Sequence, residues 1–521
     1  MIINKKGVLV MSETQFNNPA KSAPNKGAGR SRKKVKKEKK DRLALILTIL
    51  QALVSVIFIV TLVAIDLLPW KYLCVVVLMV AILFLVTFTM LKRKKGRAIG
   101  RKILSIILIL AFAIGSYYIG KVNGAMGTVT GGSYKIDNMV VAVLKDDPAE
   151  TLEDARDYTF GVQYKLGGKD VRNVINLINE ELETEINIVE YADMQEQAAA
   201  LQDGTVKAII YNEGYTGLLE EAFEGYSENI RIIYNYQIKT ELEPVNVETD
   251  KDFVITEDCF NVYISGIDVY GPISTNSRSD VNIIATVNPK THQILLTTTP
   301  RDYYVVIPGV SNGQKDKLTH AGIYGVDASM ATLENLYETD IQFYARVNFT
   351  SVIEIVDQLG GVDVYSEYAF QNQDVTVKQG MNHFSGKEAL AFARERYQLP
   401  SGDNQRGKNQ QAVIVAIIKK MISPQMLMNA GGIIDSVSGN IQTNMSEDQI
   451  QELIKMQLRE GGAWKIYSVA ATGTGDNNYT YSMPNFSAYV MNPNQDSVNQ
   501  IIEAMNRVEN GEILDGSEIA Q

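Results

Sequence analysis

Apolar side chains recur along this chain in three different rhythms. Residues 43–65, 72–91 and 103–120 are almost unbroken apolar runs, and Gln51 is the one strongly polar side chain of the first. At about 1.5 Å of rise per residue, a helix of such length crosses a hydrocarbon layer of roughly 30 Å. The pattern therefore predicts three transmembrane helices. After residue 121 the apolar runs shorten and alternate with helical periodicity. Residues 139–144, 186–189, 206–211 and 230–234 read as strands, and 171–182, 194–201 and 218–223 as helices. That alternation predicts a small open α/β sheet. A polar linker over 239–252 follows.

A second α/β series begins at Phe253. Strands are expected at 261–266, 281–287, 293–299, 343–347, 362–365 and 464–470. Residues 288–292 have the length and composition of a hairpin turn. Helices are expected at 328–337, 350–359, from 386 to about 394, and at 403–422, 450–458 and 497–508. Gly360-Gly361 stops the second of these, and Pro424 the fourth. Ser385…Glu388 and Ser446…Gln449 have capping-box spacing. The fold class is thus α/β. A basic disordered tail (1–42) leads to three membrane spans (43–120). An accessory α/β domain (121–245), a larger α/β domain with a central mixed sheet (253–510) and a disordered tail (511–521) complete the chain. Met11 offers an alternative translation start.

Charge sharpens the division. Residues 1–121 carry 22 Lys+Arg against 4 Asp+Glu, while the rest carries 28 against 56. The basic tail and the basic linker 92–102 are expected on the cytoplasmic side, which puts everything after Lys121 outside. A single cleaved signal peptide does not explain three long runs. Two cysteines and three scattered histidines give neither a disulfide framework nor a zinc site.

The chemistry concentrates in residues 393–410, where Arg394, Arg396, Arg406 and Lys408 surround a Pro400/Gly402 break. Asp403 is a candidate N-cap, and Asp403, Arg406 and Gln410 share one helix face. Guanidinium groups converging near a helix start suit a pyrophosphate. Surface ion pairs with Glu395 and Asp403 are the plainer alternative. Arg394 and Arg396 would point apart on a continuous helix, so a shared anion requires the helix to end near Arg394 and the chain to turn extended. Glu395 is then expected to face away and to matter little. Asp268, Arg278, Asp280, Arg301 and Asp302 fall at strand ends, where open α/β sheets bind ligands. Asp280 reaches that rim only if its strand runs antiparallel to its neighbours. Asp268 and Asp280 together suit a Mg²⁺ that keeps several waters. Taken singly, each is an ordinary loop charge.

The motifs Arg278-Ser279-Asp280, Thr299-Pro300-Arg301-Asp302, Gly360-Gly361-Val362-Asp363-Val364, Gly386 through Arg396, and Asp403 with Arg406 and Gln410 resemble the LytR–CpsA–Psr family over residues 255–425. Three spans plus an intervening α/β domain resemble its streptococcal capsule branch. The resemblance implies a membrane-anchored, Mg²⁺-dependent (Mn²⁺ as alternative) phosphotransferase of a Gram-positive plasma membrane, with a pyrophosphatase side activity as a further expectation. Its substrate would be a capsular polysaccharide on undecaprenyl pyrophosphate, and its acceptor peptidoglycan, leaving a phosphodiester. Asp268 and Asp280 would stand on the metal side. Arg278, Arg301, Arg394, Arg396 and Arg406 would bind the diphosphate, with Asp403 and Gln410 in the same polar shell. Either aspartate would serve as base. The apolar residues of 281–299 and 413–418 are candidates for a polyprenyl groove. Membrane lipid and other capsule-assembly proteins are further expected partners, and nucleic acid is not. Two other readings differ in kind: a lipid- or glycan-binding module without turnover, and a transcriptional attenuator, for which residues 1–42 lack a helix-turn-helix pattern.

Overall fold

The computed structural model describes residues 42–64, 68–92, 99–130, 134–241, 253–267, 277–400, 402–423 and 441–515, with Ile273 and Met426 singly. Helices α1 (Arg42–Ala64), α2 (Trp70–Phe88) and α3 (Ile99–Thr130) carry the three apolar runs. Each is long and apolar enough to cross a membrane. One polar pair links the first and third of them. The Ser105 hydroxyl of α3 donates to the Gln51 amide oxygen of α1 at 2.6 Å, both side chains buried. Helix α3 continues ten residues past the end of its apolar run, where the sequence reading had already begun the accessory unit.

Strands β1 (Tyr134–Leu144), β2 (Thr159–Val162), β3 (Asn187–Glu190), β4 (Ala208–Asn212) and β5 (Ile230–Glu241) form one sheet in the order β3-β2-β4-β1-β5. It is mixed: β1 is antiparallel to β4 and β5, while β2 is parallel to β3 and β4. Helices α4 (Gly168–Leu182), α5 (Met194–Gln202) and α6 (Thr216–Ala222) connect it. The four-residue β2 was not anticipated, and β5 extends into the expected linker as far as Glu241.

A second sheet has six strands. Its members are β6 (Phe260–Ile267), β7 (Ser279–Asn288), β8 (Gln293–Thr298), β9 (Phe343–Asn348), β10 (Ile441–Thr443) and β11 (Lys465–Ala470), in the order β10-β9-β6-β7-β8-β11. β7 is antiparallel to β6 and β8, whereas β9 runs parallel to β6 and β11 parallel to β8. Alternation along β7 separates two cores. Ile284 joins Tyr263, Leu295 and helices α8 (Val326–Tyr337) and α13 (Gln495–Glu509) on one face. Ile283 and Ala285 face the other way, toward Leu296 and helix α11 (Asp403–Met421). Residues 362–366, expected as a strand of the sheet, pair instead with Gly380–Phe384 as a separate two-stranded ladder. Helices α9 (Phe349–Gln358), α10 (Gly386–Arg394) and α12 (Glu447–Glu460) complete the unit. At α10 and α12 the capping boxes form: Glu388 accepts from the Ser385 N–H, and Ser446 and Gln449 bond reciprocally.

The short helix α7 (Leu318–Tyr324) was missed from the sequence. It lies tight against the start of β7. A Cβ on Gly322 would stand 2.6 Å from the Ser279 backbone nitrogen and 2.8 Å from the Ser277 carbonyl oxygen. Both obstacles are backbone, so relief would have to come from moving the helix off the strand. Gly322→Ala should therefore lower the melting temperature, at a cost of about 1–3 kcal/mol. Thermal denaturation of the full chain checks this, and an unchanged midpoint would mean that α7 yields freely.

Candidate active site

The strand directions bring chemistry to one rim. Ile267, the last residue of β6, stands opposite both Ser279 at the start of β7 and Asn348 at the end of β9. The carboxyl ends of β6, β8 and β9 thus meet the amino end of β7, because β7 alone among these four runs the other way. The antiparallel condition for Asp280 holds.

A bulge then aims the side chain. Gly266 pairs with Val281 and Ile267 with Ser279, which leaves Asp280 as an extra residue in the ladder. Gly266 is needed there: a Cβ at that position would fall 2.7 Å from the Val281 Cβ. An isolated glycine in a strand pattern is the sequence signal for such a bulge.

Asp280 Oδ1 accepts from the Thr319 hydroxyl at 3.0 Å and meets Arg301 Nη1 at 3.2 Å. Its side chain is 11% exposed. Burial alone would raise the Asp280 pKa. The Arg301 and Arg278 guanidiniums, the Thr319 hydrogen bond and then Arg406 outweigh it and hold the carboxyl below the ordinary aspartate range. The associated stability is present above about pH 4 and is lost as pH falls through the lowered native value. Three arginines from separate parts of the chain thus act on one carboxylate. Arg301 also lies 3.6 Å from Asp302, which in turn lies 3.6 Å from the buried Lys317 ammonium. Thr319 and Lys317 were not picked from the sequence. They follow Asp316, a buried carboxylate that accepts from the Lys317 and Ser482 backbone N–H groups and contacts His320 Nδ1 at 2.6 Å.

The second arginine group sits on the turn between α10 and α11. Helix α10 ends at Arg394 and Glu395 is extended, with φ −62° and ψ 131°. Arg394 and Arg396 are exposed and Glu395 is buried, so the two arginines share a side, as the extended turn requires. Arg394 stacks over the Phe349 ring at 4.3 Å, where β9 passes into α9. Gln410 is half-buried on α11, one turn beyond Arg406. Asp403 is the first residue of α11; Gly402, at φ +50°, holds the N-cap position expected for it. Asp268 lies outside the described residues.

Glu395 corrects an expectation. It does face away from the arginines, but it organises their turn. Its Oε1 accepts from the backbone N–H groups of Arg396, Tyr397 and Gln398, and its Oε2 from Asn372. Burial would raise its pKa, yet the Asn372 and backbone hydrogen bonds bring it below the usual glutamate value. Asn409 adds a second constraint by donating to the Phe392 carbonyl near the end of α10.

Among the described residues no group of three or more His, Cys, Asp or Glu is placed to hold a metal ion. Asp280, at the rim, is the one described member of the Asp268–Asp280 pair expected to hold Mg²⁺.

The turn gives a test. Glu395→Gln keeps an oxygen for the three N–H groups but sets its amide against the Asn372 amide. Asn372 cannot flip without losing its own bonds from Asp374 and Val375. Glu395→Ala should lower the melting temperature by an amount equivalent to about 2 kcal/mol and Glu395→Gln by roughly half of that. Denaturation curves of both variants decide, and two silent substitutions would return Glu395 to the bystander role.

Residues 223–507 match the LytR_cpsA_psr family model. The polyisoprenyl-teichoic acid–peptidoglycan teichoic acid transferase TagU of Bacillus cereus is 33% identical over 259 residues, covering 48% of this chain and 83% of TagU. The enzyme of the same name from Enterococcus faecalis is 33% identical over 225 residues, covering 43% of this chain and 73% of its own length. The crystal structure of B. subtilis TagV aligns at 25% identity with a TM-score of 0.42, over 50% of this chain and 99% of TagV. With more than half of its residues matched by the family model, and with curated relatives matched over most of their length, the chain belongs to the LytR–CpsA–Psr family.

Proposed function

We propose that this protein is a membrane-anchored phosphotransferase that moves a glycopolymer from a polyprenyl-pyrophosphate carrier onto peptidoglycan. The observation that carries this is the Arg301–Asp280 pair, 3.2 Å apart at the sheet rim, with Arg278 and Arg406 near enough to lower the Asp280 pKa further. Transfer to peptidoglycan is carried over from the printed activity of the TagU relatives. A capsular polysaccharide as cargo and undecaprenyl as the lipid form the narrower reading, which rests on the three spans and the accessory unit. The basic flanks of α1 and α3 support an outward-facing site, and a Gram-positive plasma membrane is part of the same proposal by resemblance to the family.

The mechanism follows from charge. A diphosphate repels an incoming nucleophile, and guanidinium groups lower that cost most where negative charge accumulates in the transition state. Arg278, Arg301 and Arg406 would take the diphosphate oxygens, with Arg394 and Arg396 closing over it from the turn. The acceptor hydroxyl oxygen would attack the phosphorus nearer the glycan. The bridging P–O bond would break, polyprenyl phosphate would leave, and the hydroxyl proton would pass to a base. Either Asp280 or Asp268 would serve as that base, and Asp280 also pairs with Arg301 in the free protein. Mg²⁺, when bound beside Asp280, would supply further neutralisation of the diphosphate. Ile283, Ala285, Ile294 and Leu296 are a closed core under α11, so the lipid would have to bind at its edge, against the partly buried Val281, Ile414, Val415 and Ile418.

Purified full chain in lipid, given a polyprenyl-pyrophosphate glycopolymer and peptidoglycan, should form a phosphodiester-linked product. Arg301→Ala should reduce the rate at least about a hundredfold. Tight binding of the carrier with no product under any metal condition would instead favour a binding module.

A further inference from the structure

The sheet of β1–β5 has no role in the reading above, yet its helix α6 touches the arginine cluster. Leu218 and Leu219 anchor α6 in a buried core with Tyr215 and Tyr226, and Ile323 and Met483 from the larger unit belong to the same core. The helix is thereby fixed to both units at once. At its start, Gly217 lies against Arg278. The Arg278 Nη1 group is 3.5 Å from the Gly217 carbonyl oxygen, and a Cβ on Gly217 would stand 2.8 Å from Arg278 Nε and Cζ. Near its end, Glu221 pairs with Lys317, whose side chain is 4% exposed and also reaches Asp302. A chain of charges therefore runs from Glu221 through Lys317, Asp302 and Arg301 to Asp280.

Gly217 is otherwise unexplained. It lies inside a helix without a positive φ, where glycine costs about 1 kcal/mol relative to alanine. The space that its missing side chain leaves is taken by the Arg278 guanidinium. We propose that α6 is a working part of the active centre: Gly217 and Glu221 are positioning residues, Gly217 seating Arg278 for the diphosphate and Glu221 holding Arg301 through Lys317 and Asp302. The accessory unit is then a wall of the site. This rests on the transferase reading for the identity of the anion, but the seating of Arg278 is testable without it.

The obstacle to a larger residue at 217 is the far end of a flexible side chain, so Gly217→Ala should move Arg278 and leave the helix in place. The test uses the full chain in detergent, with inorganic pyrophosphate as probe by calorimetry, melting temperature as control, and phenylglyoxal labelling of Arg278 read by peptide mass spectrometry. Gly217→Ala should keep or raise the melting temperature, weaken pyrophosphate about tenfold and change the labelling rate of Arg278. In an Arg278→Ala background the same substitution should cost nothing further. Glu221→Gln should weaken pyrophosphate in the same direction, by a smaller factor. Wild-type affinity in Gly217→Ala, an additive loss on top of Arg278→Ala, or a collapse of the melting temperature would each overturn the proposal. If the wild-type protein does not bind pyrophosphate, the transferase reading fails, and the Arg278 labelling rate alone decides the seating: no change on Gly217→Ala overturns it.

Discussion

A single carboxylate at the mouth of the six-stranded sheet sets the conditions for the rest of the site. Three guanidinium groups cannot share a poorly solvated space without a counter-charge, and Asp280 provides it. Arg278, Arg301, Arg406 and Lys317 outnumber Asp280, Asp302 and Glu221 by one charge, so the cluster keeps a net attraction for an anion. This arrangement depends on backbone features some distance from any charge: the reversed direction of β7, the bulge at Gly266, and the close seat of α7 that brings Thr319 within reach. Each fixes where Asp280 points. The arginines then have a common target, although they come from a strand entry, a strand exit and a helix.

Much of the fold was legible because its elements are regular. Three apolar runs, the 288–292 turn and two capping boxes gave the membrane helices, the β7–β8 hairpin and the starts of α10 and α12. The end of α10 at Arg394 could be reasoned from stereochemistry, since two arginines two residues apart share a side only on an extended chain. What was not legible depended on partners distant in sequence. The strand β2 is only four residues long and is held by its neighbours on both sides. Thr319 and Lys317 acquire meaning only when α7 folds onto β7. Glu395 looked like a solvated charge between two arginines, and its buried contacts with Asn372 and three backbone groups could not be read from local sequence. Asp403 has the composition of an N-cap, but the glycine before it supplies the backbone angle at which the helix begins.

The two α/β units meet through helix α6 and along a seam where Lys165, Asp193 and Gln195 bond to Tyr481, Asn485 and Ser482, and this changes how the chain is to be understood. The smaller sheet is joined to the larger one by a common apolar core, and through that core it reaches Arg278 and Lys317. The chemistry at the rim and the packing between units are therefore parts of one structure. Helices α1, α2 and α3 serve a different end, being long and apolar enough to hold this assembly at a membrane.

The most direct test of the central claim is an experimental structure of the full chain in lipid with a polyprenyl diphosphate bound. The account predicts diphosphate oxygens within hydrogen-bond distance of Arg278, Arg301 and Arg406, and the lipid against Val281, Ile414, Val415 and Ile418. A diphosphate seated elsewhere, with the three arginines still closed on Asp280, would contradict it.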